Sequence, residues 1–84
     1  MKKYRCPCCG YFTYNVPVSE DCGYICPVCF WENDPFITSD NEPSDSNHGI
    51  TLKEAKLNFL QFGACEKEML CHVRSPRNDE KEIS

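Results

Sequence analysis

Apolar and polar positions change rhythm along the chain, and each change predicts a different element. Phe12 and Tyr14 alternate with Thr13, the period of a half-buried strand. With Lys3-Tyr4-Arg5 this predicts two short strands, and Tyr24-Ile25 predicts another. Residues 38–49, TSDNEPSDSNHG, carry no period and read as a polar loop. From residue 50 the spacing turns helical: Leu52, Ala55, Phe59, Leu60 and Phe62 fall near one face, while Lys53, Glu54, Asn58 and Gln61 face water. Thr51 and Glu54 have the spacing of a capping box, and Gly63 suits the left-handed position that ends a helix. ACEKEMLCHV predicts a shorter second helix that stops before Pro76. The pattern therefore predicts one domain over 1–76, divided into 1–37, 38–49 and 50–76, followed by a frayed charged tail at 77–84.

That pattern offers little core. The chain has 84 residues, and a domain of such size buries only about 60% of the surface its unfolded form exposes. Small scaffolds need a disulfide, a metal or a partner, and eight cysteines are available. The apolar helix face would cover a thin metal-bound sheet, or else present a groove helix to a partner.

The cysteines are organised. CPCCG and CPVCF are both Cys-Pro-x-Cys turns, with the sixteen residues Gly10 through Ile25 between Cys9 and Cys26. Two C-x-x-C pairs so separated are a strong metal signal. In a tight turn, cysteines three apart aim their sulfurs at one centre; proline fixes φ at the second position, and Gly10 tolerates the positive φ that closes the first turn. The expected ligands are Cys6, Cys9, Cys26 and Cys29. Four thiolates form a closed tetrahedral shell, in which zinc is structural.

Cys8 occupies the x position, matched by Val28, and is expected to point away from the metal as a spare or redox-active thiol. Cys22 lies four residues before Cys26 and could replace a ligand. Cys65 reads as a small buried hydrophobe, His48 as a loop residue, and Cys71-His72 are adjacent rather than spaced for chelation. Phe30, Trp31 and Phe36 form an aromatic cluster over the metal; a partly exposed Trp31 with Phe30, Glu32 and Asp34 would instead make a partner-binding patch.

Charge and N-terminal pattern narrow the setting. Met1-Lys2-Lys3 leads into Tyr4-Arg5-Cys6-Pro7 rather than the apolar run of a signal peptide, and no window approaches a membrane span. The expected compartment is the cytoplasm, where paired cysteines hold metal more often than disulfides; a secreted disulfide framework is the competing reading. Cys6 to Leu52 contains no Lys or Arg but seven acids, and the formal net charge is -4. A zinc module that grips nucleic acid shows a basic stripe instead, so neither nucleic acid nor membrane is the expected partner.

YRCPCCGYFTY, YICPVCFWEND and GITLKEAKLNFLQFGACEKEMLCHVRSP together resemble the cysteine-rich CPCC family of small, mainly bacterial proteins, from Cys6 to about Pro76. The resemblance implies a zinc-ribbon-like domain with a C-terminal helical part and no particular activity; Cys22 and Cys71 are not parts of its pattern. The first turn is also similar to that of rubredoxin, an iron electron carrier, at Tyr4, Cys6, Cys9, Gly10 and Tyr11. Here, however, the gap between turns is shorter, and Phe30 stands where rubredoxin has glycine.

The expected fold is thus a small metal-stabilised α+β domain: zinc-ribbon or rubredoxin-like β knuckles, then an amphipathic helix and a shorter helix. The expected function is a non-enzymatic, zinc-binding protein-interaction module, with an inhibitor or immunity-type role against a basic partner as its narrower form. The alternative is a rubredoxin-like carrier with iron on the same cysteines. A hydrolase would need an open metal position or a base beside a nucleophile.

Overall fold

The structure is a computed structural model, described here for residues 3–81. Two short strands, β1 (Tyr4–Arg5) and β2 (Phe12–Tyr14), form an antiparallel ribbon. Their pairing, Tyr4 with Tyr14 and Arg5 with Phe12, leaves Thr13 unmatched. Such a bulge inserts one residue into the ladder and resets the alternation. Thr13 and Tyr14 consequently both point inward and are buried. The expectation that Thr13 alternates outward is corrected, and the bulge is the reason.

The predicted strand at Tyr24-Ile25 reduces to a single bridge between Ile25 and Glu32. Residues 38–49 are more ordered than their composition suggests. The buried Asn47 side chain accepts from Glu32 N and donates to Glu32 O, both at 2.8 Å, as a neighbouring strand would. Ser44, also buried, donates to Asp34 Oδ2 at 2.8 Å.

Helix α1 (Leu52–Phe62) starts at Thr51, with both halves of the capping box closed, and ends at Gly63, whose φ is 92°. It buries Leu52 and Ala55 and half-buries Phe59 and Phe62. Leu60 departs from the predicted face and is 82% exposed; at 100° per residue it lies closer to Lys53 than to Ala55. Asn58, expected in water, donates to Cys65 O at 2.9 Å and ties the helix to the following loop. The shorter second helix is a 3-10 helix over Lys67–His72.

The tail is corrected too. Asn78–Lys81 form a helical turn, α2, and Glu80 is buried rather than frayed. Its carboxylate accepts from Arg74 Nη1 and Nη2, each at 2.9 Å, and from Arg77 N. Residues 82–84 lie outside the described residues. The core gathers Cys6, Cys8, Tyr14, Cys26, Val28, Cys29, Trp31, Leu52, Ala55 and Cys65. Among the described residues no helix is long and apolar enough to cross a membrane.

Candidate metal centre

Each cysteine pair sits on a turn built the same way. In the first knuckle Gly10 N donates to Cys6 O at 2.9 Å and Cys6 N to Tyr11 O at 2.8 Å. In the second, Phe30 N donates to Cys26 O at 2.8 Å and Cys26 N to Trp31 O at 3.0 Å. The residue after the last cysteine is left-handed in both, with φ 79° at Gly10 and 68° at Phe30. The second knuckle therefore keeps the backbone that glycine would allow, with an aromatic residue in a strained region. Phe30 stacks on His72, with ring centroids 5.1 Å apart.

Folding brings the two turns face to face. The sulfurs of Cys6, Cys9, Cys26 and Cys29 all lie within 4.8 Å of one another. Cys6 and Cys29 are 3.6 Å apart, and Cys9 and Cys26 3.8 Å. A tetrahedron with metal–sulfur bonds of about 2.3 Å has sulfur–sulfur edges of about 3.8 Å. These four cysteines could therefore hold one metal ion. Among the described residues no His, Asp or Glu ligand joins the group.

Electrostatics point the same way. By themselves the sulfurs compete for protons: the Cys29 and Cys9 thiols are held far above their usual range, chiefly by hydrogen bonding to Cys26. Cys26 is held far below it, chiefly by the Cys29 thiol and then by Cys6 and Cys9. Four adjacent thiolates need a cation to coexist. Burial, reinforced by the charges on Cys6, Cys26 and Cys29, keeps the Tyr14 phenol well above its usual value.

The C-terminal half locks the second knuckle in place. Cys65 N donates to Cys29 O at 2.8 Å, and Arg74 N to Pro27 O at 3.1 Å. Cys65 is buried, as a small hydrophobe should be, and burial pushes its thiol up to about 12. Cys8, expected to point away from the metal as a spare or redox-active thiol, lies outside the four-sulfur group. It is buried in the core, as Val28 is at the matching position, and its thiol is among the groups acting on Cys29. Both x positions therefore point into the core. Cys22 and Cys71 are exposed and outside the cluster. His48 pairs with Glu66 at 2.6 Å.

The partner-binding quartet does not form one surface. Trp31 is 1% exposed and belongs to the core, so it cannot anchor a partner. Phe30 and Glu32 border a cavity of about 140 Å³, with His48, Glu66 and Met69. Trp31 and Asp34 border a different one, of about 470 Å³. Phe36 leaves the aromatic cluster altogether and is 79% exposed. The Thr13 hydroxyl, which strand alternation turned outward, lies 3.2 Å from the Cys26 sulfur; no sequence signal marked the bulge that puts it there.

No curated protein and no solved structure is detectably similar to this chain. A family model does match, that of Cysteine-rich CPCC, over residues 4–80. With its doubled Cys-Pro-x-Cys knuckle and clustered sulfurs, the chain belongs to the cysteine-rich CPCC family.

Proposed function

We propose that this chain is a small, non-enzymatic cytoplasmic module, stapled by one zinc ion on Cys6, Cys9, Cys26 and Cys29, that engages another protein. The observation that carries the reading is the set of four cysteine sulfurs within 4.8 Å of one another, with two pairs at 3.6 and 3.8 Å. A shell of four thiolates leaves no position for water or substrate, so its zinc stabilises a fold rather than activating a ligand.

The interaction surface is drawn from the acidic half. Phe36 is exposed between Pro35 and Ile37, which border the 470 Å³ cavity together with Asp34 and Asp40. No Lys or Arg occurs from Cys6 to Leu52. An exposed aromatic beside carboxylates suits a basic partner, with an inhibitor or immunity-type role as the narrower form. The test is quantitative capture from the protein's own cells with wild type and Phe36→Ser. Expected is a partner that Phe36→Ser loses and that high salt weakens. Wild type retaining nothing, or both forms retaining the same partners, would refute the reading.

Iron on the same cysteines is the second reading. Cys9 is only half-buried, which would give an electron a short route to the surface. An iron–tetrathiolate site absorbs visible light, whereas zinc does not.

A further inference from the structure

The cluster is flanked by two hydroxyls that the four-cysteine description leaves unused. Thr13 and Tyr14 are 3% and 0% exposed, because the β2 bulge turns consecutive residues inward. Thr13 Oγ1 lies 3.2 Å from the Cys26 sulfur. The Tyr14 hydroxyl, among the described residues, is the buried side-chain polar atom with no hydrogen-bond partner. An orphaned hydroxyl of this kind is destabilising unless something satisfies it.

Its surroundings restrict what that can be. The Tyr14 ring is held edge-on to Tyr24, with centroids 4.7 Å apart, so it is fixed in place. The Tyr24 hydroxyl is already committed to Thr13 O at 2.8 Å. Tyr14 and Cys6 belong to the same buried cluster, and Cys6 directly follows the strand that pairs with Tyr14, which makes its sulfur the acceptor on that side. A metal-bound thiolate is charged, and it is a better acceptor than the thiol it replaces.

We propose that Thr13 and Tyr14 are positioning residues for the metal: the Thr13 hydroxyl donates to the Cys26 sulfur and the Tyr14 hydroxyl to the Cys6 sulfur. One donor thus serves each knuckle, and both come from the strand that follows the first. Hydrogen bonds to coordinating atoms orient the ligands and withdraw charge from them. The inference rests on the reading that the four cysteines hold a metal. It adds that two hydroxyls set how tightly they hold it and the energy of the sulfur electrons.

The experiment loads the full chain with cobalt(II) and compares wild type with Tyr14→Phe, Thr13→Val, Thr13→Ser and Tyr24→Phe. The readouts are the sulfur-to-cobalt charge-transfer band and the affinity measured against a competing chelator. A sulfur that loses its hydrogen bond gives up charge more easily, so Tyr14→Phe and Thr13→Val shift the band to lower energy. Each also weakens binding by roughly tenfold or more, the usual effect of losing such a partner. Thr13→Ser keeps the hydroxyl and restores both readouts. Tyr24→Phe frees the Thr13 carbonyl but keeps both proposed donors, so its band stays closer to wild type than that of Tyr14→Phe or Thr13→Val. Tyr14→Phe is nearly isosteric, so it reports even if Thr13→Val fails to fold. An unshifted band with unchanged affinity in Tyr14→Phe overturns the assignment of Tyr14, and the same result in Thr13→Val overturns that of Thr13. A wild-type chain that takes up no cobalt overturns the metal reading itself, and this inference with it.

Discussion

Phe30 holds a position that the first knuckle gives to glycine, and the exchange can be measured in both directions. Its φ of 68° places a residue with a Cβ in the left-handed region, at a cost of about 1–2 kcal/mol. Glycine there would remove the strain but add about 0.5–1 kcal/mol of unfolded-chain entropy. Phe30→Gly should therefore be more stable than Phe30→Ala by about 0.5–1 kcal/mol, since alanine keeps the strain. Both variants lose the same half-buried ring and its stack on His72. Half of a full phenylalanine burial is about 1 kcal/mol, and the stack adds about 0.5 kcal/mol. Phe30→Ala should thus cost about 1.5 kcal/mol and Phe30→Gly about half as much. Gly10→Ala runs the exchange the other way. At φ 79° an added Cβ meets nothing within 4 Å, so its cost is conformational alone, about 0.5–1 kcal/mol. The assay is denaturant unfolding at a fixed free zinc concentration, followed by emission of the buried Trp31. At ordinary helix or strand positions alanine is the more stable residue, which makes the order diagnostic. Phe30→Ala equal to or more stable than Phe30→Gly would refute the matched left-handed geometry of the two knuckles.

Other outcomes follow from the same contacts. Cys9→Ser should abolish metal binding, while Cys8→Val, which copies the buried Val28 of the second knuckle, should keep one metal per chain by elemental analysis; the reverse pattern would move the ligand set. Chelation should unfold at least residues 1–37, read as lost Trp31 burial, because structural zinc contributes roughly 10–16 kcal/mol of apparent binding free energy, at or above typical domain stability. Glu80 is held down to about 2, chiefly by Arg74, so its contribution is full above the unfolded value of 4.5 and is lost as pH falls from there through about 2. Arg74 is 36% exposed and solvent screens the pair, so Glu80→Gln should cost about 1–2 kcal/mol at neutral pH. That difference from wild type should shrink once the pH drops below 4.5, and a gap that stays constant would contradict it. Comparing the two proteins at each pH cancels protonation of the shared metal site.

What the sequence revealed was what local spacing decides. The four clustered cysteines depend on two turns of four residues, and the helix start depends on Thr51 and Glu54 three apart; both are complete within a single turn of chain. What it hid depends on partners distant in the chain or on register. Thr13 faces inward because the ribbon slips by one residue, and alternation read along one strand carries no record of that slip. Asn47 looks like a loop residue until Glu32, fifteen positions away, supplies the backbone groups that its amide satisfies. Glu80 looks like part of a solvated tail until Arg74 is brought beside it. Trp31 and Phe36 are both aromatic residues in the same acidic stretch, yet one is core and the other surface, and only the packing of Leu52 and the knuckles separates them.

The central claim is that Cys6, Cys9, Cys26 and Cys29 together hold one metal ion. Its most direct test is elemental analysis of the full chain purified from its own cells, joined to thiol alkylation before and after chelation. Expected are one zinc per chain, no visible colour, and four thiols that resist alkylation until the metal is removed, while the exposed Cys22 and Cys71 react at once. A metal-free chain whose four cysteines react freely, or emerge as disulfides, would contradict it.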